Sequence, residues 1–335
     1  MDTSSHVCMG VATGLLATSL AATQGIEVHG ASVVAFSIVA NVIPDIDVVL
    51  KLKSRDAYIA NHRGMTHSFL FMIAWIVLLS AIAQFYYPTH SIVYFGIISI
   101  GVISHIVTDL LNGYGVQFLW PISHKWIAFG VTYTFDAIFL ISNVIAFILI
   151  FAFKFNIKET IIITYVLFAL YIFVSFIYQL HLRRHLIEKY GKYKRMILQA
   201  KATPINWKYV YETNDGQFYM GLVHKRDIIE LRNETRQSII NKELENNLKK
   251  NRDLKSFLDF TPIFNYDIRY KEDGSMVIKY YDLRYLMVKK NDQYYTFNCF
   301  VHVKDNEVLS SYIGFTVNHE NAVKRFRKEL EKKEK

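Results

Sequence analysis

His105 and Asp109 stand four residues apart at the end of the apolar run 91–111. On a helix that spacing puts both side chains on one face, one turn apart. A histidine and a carboxylate are ligands for a divalent metal ion, and ionisable groups at the end of a membrane-crossing segment usually face a bundle interior or a wet cavity. A plain helix-stabilising pair has the same spacing, but desolvation makes it a costly choice inside a span. Asp45 and Asp47 follow Pro44. In an extended loop alternate residues share a face, so both carboxylates could point one way as hard oxygen ligands. The other reading is an N-cap and a solvated charge. His62 and His67, in His-Arg-Gly-Met-Thr-His-Ser, are five apart and converge only if the chain turns between them, which Gly64 permits. Arg63 could hold a phosphate or anchor the membrane interface. Asn112 could orient a ligand or cap its helix. His6 is a further imidazole near the start, whereas His124 stands alone. His181 and His185 flank Arg183 and Arg184 and read as lipid-facing.

These groups need elements that bring them together. The chain has 335 residues, 52% hydrophobic and 15% aromatic, a length that suggests two domains. Residues 1–180 hold 7 Lys and Arg against 8 Asp and Glu, while 181–335 hold 31 against 21. The reading is an α-helical polytopic membrane domain, 1–180, then a basic interfacial helix, 181–202, then a soluble, β-rich α+β domain, 203–335. Six apolar segments are expected. The runs 10–24 and 30–43 are shorter than the ~20 residues that cross a bilayer, and 68–86, 91–111, 136–153 and 160–180 are stronger spans. Helical spacing is expected up to about Ala200. Strands follow at 207–212, 217–224, 227–231, 267–270, 276–281, 294–303 and 307–315, with a helix at 241–257 and a charged helix from Ala322. Asp273-Gly274 is a hairpin pair. The lone cysteines Cys8 and Cys299 suit neither a disulfide framework nor a cysteine zinc site. No basic segment precedes the first apolar run, so a cleaved signal peptide is not expected.

Lys and Arg cluster in 44–67, in 112–135 and after 180, and are missing from 25–29 and 87–90. If six segments cross, the three basic regions share the cytoplasmic side, although 154–159 also holds two Lys. That parity collects His6, Asp45, Asp47, His62, His67, His105 and Asp109 on one membrane face. So many nitrogen and oxygen ligands exceed one tetrahedral site, so two or three ions are possible, zinc first and manganese as the alternative. A basic domain beside a membrane answers to anionic lipid rather than to nucleic acid.

Pro-Asp-Ile-Asp at 44–47, His-Arg-Gly-Met-Thr-His-Ser at 62–68, Ser-His-Ile-Val-Thr-Asp-Leu-Leu-Asn-Gly-Tyr-Gly at 104–115 and Leu-Trp-Pro-Ile-Ser at 119–123 resemble the YdjM-like family of bacterial inner-membrane metal-dependent hydrolases. The resemblance covers residues 1–185, and His6 fits it. Ala-Thr-Pro-Ile-Asn-Trp at 202–207 and Tyr-Met-Gly-Leu at 219–222 look like the YfhP-type members. The family is distantly similar to zinc-dependent phospholipase C, which implies His6, Asp45, His62 or His67, His105 and Asp109 as ligands. The functional expectation is a multi-pass inner-membrane hydrolase with its carboxy-terminal domain in the cytoplasm. It would cleave a phosphoester in a lipid or lipid-linked substrate, with Asp47 as general base, Arg63 on the phosphate and Asn112 assisting. The alternative is a non-catalytic membrane protein whose metal staples its helices and which presents a basic domain to lipid or protein. A transporter is disfavoured by the lack of paired halves.

Overall fold

In a computed structural model of the full chain, residues 1–52, 63–237, 242–289 and 292–315 are described. His62 and the charged helix expected from Ala322 lie outside them. The chain divides into two compact units. The first takes residues 1–49, 63–185 and 198–207, and the second takes 50–52, 186–197 and the described residues from 208 onward.

The first unit is a helical bundle: α1 (Thr3–Thr23), α2 (Gly30–Val42), α3 (Phe69–Tyr86), α4 (Ser91–Leu111), α5 (Ala137–Phe151) and α6 (Ile157–Tyr190). Among the described residues five helical stretches are long and apolar enough to cross a membrane, and α5 is shorter. The lengths expected from hydropathy therefore shift. The first segment starts at Thr3, because the Asp2 side chain caps the amides of Ser4 and Ser5 and brings a polar turn with His6 into the helix. The segment at 136–153 is trimmed to 15 residues by its Asp136 cap and by its end at Phe151. At 1.5 Å per residue it rises about 22 Å.

Small residues set the packing. A Cβ on Gly10 would meet the Ile38 backbone at 2.6 Å, and one on Gly14 would meet the Val34 backbone at 2.6 Å. α1 and α2 therefore run antiparallel in backbone contact, as small-residue interfaces allow in lipid. Gly101 of α4 lies as tightly on Ala40 and Asn41 of α2, and Ser104 Oγ donates to Asn41 Oδ1 at 3.2 Å. These contacts make α2 and α4 parallel, so both end at the same place. The amino-terminal end of α3 joins them, since Phe69 N donates to Phe118 O in the loop after α4. α6 returns there too: Gln179 Nε2 donates to Phe129 O at 2.7 Å, and Phe129 N to Leu110 O at 2.8 Å. The core holds Val33, Ala40, Ala83, Tyr94, Ile98 and Val102. Outward faces stay apolar: Val77 is 62% exposed, Phe85 79% and Val166 61%. Such a bare belt suits lipid, in which apolar side chains carry no exposure penalty.

The second unit is built on antiparallel strands. β1 (Tyr193–Ala200), β2 (Asn206–Thr213), β3 (Gln217–His224) and β4 (Asp227–Thr235) form a sheet in sequence order. α7 (Lys242–Lys250) and α8 (Arg252–Phe260) follow, and then β5 (Phe264–Tyr270), β6 (Met276–Asp282), the hairpin β7 (Leu286–Lys289) and β8 (Asp292–Tyr295), β9 (Phe297–Lys304) and β10 (Glu307–Phe315). The second sheet has the order β10-β9-β6-β5. Leu248, Leu254 and Phe257 of the two helices pack on Ile278, Phe297, Cys299 and Val301. Asp273-Gly274 makes the expected hairpin, with Gly274 at φ +78° and the Asp273 carboxylate accepting from Ser275 N at 3.0 Å. Helical spacing up to Ala200 does not hold. The helix ends at Tyr190, Gly191 takes φ +82°, and 193–200 alternates as a strand. The expected helix 241–257 is two helices, divided where Asn251 caps the amide of Leu254. Cys8 and Cys299 are both free, and burial pushes the Cys299 thiol well above its usual range.

Candidate metal centre

Four side chains converge where α1, α2, α3 and α4 meet: Asp45, His67, His105 and Asp109. His105 and Asp109 come from the last two turns of α4, both fully buried. His67 ends the 3-10 turn Met65–His67, just before Ser68 caps α3 by accepting from Phe71 N at 3.2 Å. Asp45 sits in the 3-10 stretch Ile43–Leu52 that follows α2. Just before His67, Arg63 takes φ +61°. The left-handed residue is thus Arg63 and not Gly64, a strained choice that its several side-chain and main-chain bonds hold in place.

The hydrogen bonds orient both imidazoles inward. His105 Nδ1 donates to the Asn41 carbonyl at 2.6 Å. Thr66 Oγ1 donates to Asp47 Oδ2 at 3.2 Å, so it accepts from His67 Nδ1 at 3.0 Å. Each ring therefore spends its proton on Nδ1 and turns the Nε2 lone pair to the centre, and those Nε2 atoms lie 3.1 Å apart. His67 Nε2 is 3.3 Å from Asp45 Oδ1 and 3.5 Å from Asp109 Oδ2. His105 Nε2 is 3.8 Å from each of the same oxygens. Asp45 Oδ1 and Asp109 Oδ2 are buried and accept no hydrogen bond.

Two imidazole lone pairs and two carboxylate oxygens face one another here; Arg63 and the Met1 amine offset the charge of Asp109, while Asp45 Oδ1 and the two lone pairs are left for a further cation. A tetrahedral ion with bonds of about 2.0–2.2 Å sets its ligands about 3.3–3.6 Å apart. The five measured separations bracket that range, so the residues present fit a divalent metal ion. The donor set is nitrogen and oxygen only, which suits zinc and also admits manganese.

The remaining candidates take different posts. Asp47 is buried, but its Oδ2 accepts from Arg63 N at 2.9 Å and from Thr66, on the Nδ1 side of His67. The expectation that Asp45 and Asp47 share a face assumed an extended loop. In a 3-10 stretch residues two apart diverge, and only Asp45 reaches the centre. The Arg63 guanidinium lies inside the cluster, with Nε 3.0 Å from Asp109 Oδ2 and Nη2 donating to Met1 O at 2.8 Å. Asn112 caps α4. Its Oδ1 accepts from Tyr114 N and Gly115 N at 2.8 and 3.0 Å, and its Nδ2 donates to Asp109 Oδ1 at 3.3 Å. His6 is fully buried, stacks on His105 at 3.8 Å and places Nε2 3.6 Å from Asp109 Oδ1, beside the four-residue group and outside it. Neither ring nitrogen of His6 has a hydrogen-bond partner. The Met1 amine also pairs with Asp109 Oδ1. His62 is outside the described residues.

Asn41 and Thr66 were not among the sequence candidates. Asn41 acts through a backbone carbonyl, which carries no residue-type signal. Thr66 left only the trace of a hydroxyl next to a candidate histidine. Partners that fix the far nitrogen of a ligand histidine typically govern metal affinity by 10–100-fold. Thr66→Val should therefore weaken metal binding by about that factor while the purified protein keeps its helical circular dichroism. Competitive titration with a chromophoric chelator measures it, and an unchanged affinity would show that Thr66 does not orient His67.

Residues 1–182 match the family described as YdjM inner membrane protein, and residues 243–326 match the YfhP C-terminal alpha/beta plait domain. The chain is 29% identical over 330 residues to the protein YfhP of Bacillus subtilis (strain 168), covering 98% of this chain and 99% of that one. No solved structure matches.

Proposed function

The chain belongs to the YdjM inner membrane protein family, and on that footing we propose that its membrane unit is a metal-dependent hydrolase of a phosphoester held in the bilayer. The observation that carries this reading is the pair of inward Nε2 atoms 3.1 Å apart, ringed by two carboxylate oxygens that accept no hydrogen bond. Asp45, His67, His105 and Asp109 would hold the ion. A bound divalent ion supplies Lewis acidity to a phosphoryl oxygen and an ionised water at neutral pH.

The chain's own groups do the rest. The Asn41 carbonyl and the Asp47–Thr66 pair hold the two imidazoles in the one tautomer that presents Nε2. Asp47 is thus a positioning residue for His67 in place of the general base expected from sequence. Arg63 balances the charge of Asp109 and adds a buried cation beside the place a phosphate would occupy. Asn112 fixes Asp109 from behind. Asp45 is the ligand nearest solvent, its side chain 14% exposed against 0% for the others.

A second reading has its own support. Four protein ligands fill a tetrahedral site, as in structural zinc centres, and here they come from three separate stretches of chain. The ion would then staple α4 to the segments after α2 and before α3. Release of phosphate or headgroup separates the two. Purified, fully metallated protein should hydrolyse a phospholipid, a lipid-linked pyrophosphate or an aryl phosphodiester in mixed vesicles. No release from any of them would leave the staple.

The basic stretches support a centre at the cytoplasmic face, with the β-rich unit in the cytoplasm and anionic lipid as the proposed neighbour of its basic residues. Reporter fusions after Asn61 and after Lys201 should both give the cytoplasmic signal. Opposite signals would break the proposed orientation, because α2 and α6 end at the same end of the bundle.

A further inference from the structure

A groove of about 560 Å³ runs between α1, α4 and α6. Its walls include Met9 and Ala17 of α1, Ile97 and Thr108 of α4, and Ile162 and Ala169 of α6. Its lining is almost wholly apolar, and it is open on one side: Ile100, Val107 and Val166 are about half exposed on helices long enough to cross the membrane. The open side therefore faces hydrocarbon.

The groove ends at Met9, one helical turn from His6, which lies beside the metal centre. On α1, Met9, Thr13 and Leu20 form one stripe, and His6, three residues before Met9, continues it. His6 is fully buried without a hydrogen-bond partner, and it stacks on the ligand His105. On α4, Ser104 and Thr108 line the groove, and the ligands His105 and Asp109 lie about 100° round the helix from them, on the adjoining face. The lining from Ile97 to Leu111 spans about 21 Å of helix rise. That is somewhat more than one leaflet of a ~30 Å hydrocarbon core. Spread over that length, the volume gives a cross-section of about 27 Å², the girth of one unbranched hydrocarbon chain.

We propose that this groove holds one acyl chain of a phospholipid whose headgroup reaches the metal centre. The proposal rests on the hydrolase reading and narrows its substrate to a diacyl phospholipid that enters sideways from the bilayer. The inner end of the groove, at Met9 and Thr108, fixes how deep the chain lies and so which bond comes to the centre.

The test uses the full chain in phosphatidylethanolamine–phosphatidylglycerol vesicles doped with a phosphatidylglycerol that carries a diazirine midway along one acyl chain. Ala169→Phe and Ala17→Phe fill the groove. Ala169 is exposed, so the larger ring there does not press on the core. After irradiation, label should concentrate on residues 13–20 and 162–169 over the lipid-facing residues 70–82 of α3, and either substitution should remove it. Hydrolysis of the long-chain lipid should fall at least tenfold in both variants, while a dihexanoyl analogue with the same headgroup, and the bound metal, are unaffected. Label spread evenly over α3 and the groove, and unchanged by filling, overturns the proposal. So does an equal loss of long- and short-chain hydrolysis with full metal content. Focused label without hydrolysis of either lipid removes the hydrolase reading and leaves the groove as a lipid site.

Discussion

His105→Ala and Asp109→Ala, each made alone, should drop the metal bound per chain to background, and the double variant should lose no more than either single one. The two side chains contribute to one ion from one face of α4, with His105 Nε2 and Asp109 Oδ2 3.8 Å apart. Removing either leaves three inward groups, a carboxylate among them, in a fully buried place where water cannot replace the lost ligand well. Loss of the hydrogen bond that holds a ligand's far nitrogen already costs 10–100-fold in affinity, so loss of a ligand should exceed about 100-fold. Ligands of one ion act as a unit, hence the lack of additivity. His181→Ala and His185→Ala serve as controls that keep the metal, since neither is in the four-residue group. Protein equilibrated with zinc, desalted and analysed for metal gives the answer. Full metal in both single variants would reduce His105 and Asp109 to an ordinary helix pair.

The convergence of these residues was legible because it depends on counting and on parity. Four-residue spacing fixes the shared face of His105 and Asp109 whatever surrounds the helix. Alternating helix directions send the start of α1 and the ends of α2 and α4 to one end, and the lengths of the apolar runs carried that information. Side-chain direction in the irregular stretches was not legible. Asp45 and Asp47 are two apart in a 3-10 stretch, and hydropathy does not distinguish that geometry from an extended loop. The turn before His67 uses φ +61° at Arg63, where residue type alone pointed to Gly64. The strand at 193–200 was read as helix because Lys and Arg, good helix formers, dominate its approach. The positive φ of Gly191 and the pairing with β2 decided otherwise. His105 leans on a main-chain carbonyl of Asn41, a partner that any residue type could supply.

Chelation should abolish hydrolysis completely, and zinc or manganese should restore it, while the same treatment lowers the thermal midpoint of the membrane unit. Both effects follow from one ion held by residues from different segments. Binding to the folded state alone stabilises it by about 4 kcal/mol when free metal is 1,000 times its Kd. Removing the ion also leaves Asp45 and two imidazole lone pairs facing one another with only Arg63 and the Met1 amine to offset Asp109, so apo protein should be the more easily proteolysed form. Acid acts in the same direction. Protons compete with metal for His67 and His105, so affinity should fall as the solution is made more acid. The hydrolase and the staple agree on the stability shift and differ on turnover. A midpoint that falls with chelator in a protein that never releases phosphate or headgroup would assign the ion to holding α4 against its neighbours. Turnover that survives complete metal removal would separate the chemistry from this cluster altogether. Turnover lost and regained with the ion, in step with its content, is the expected result, because the groups that hold the ion are the buried polar groups at this end of the bundle to which a phosphoester could be drawn.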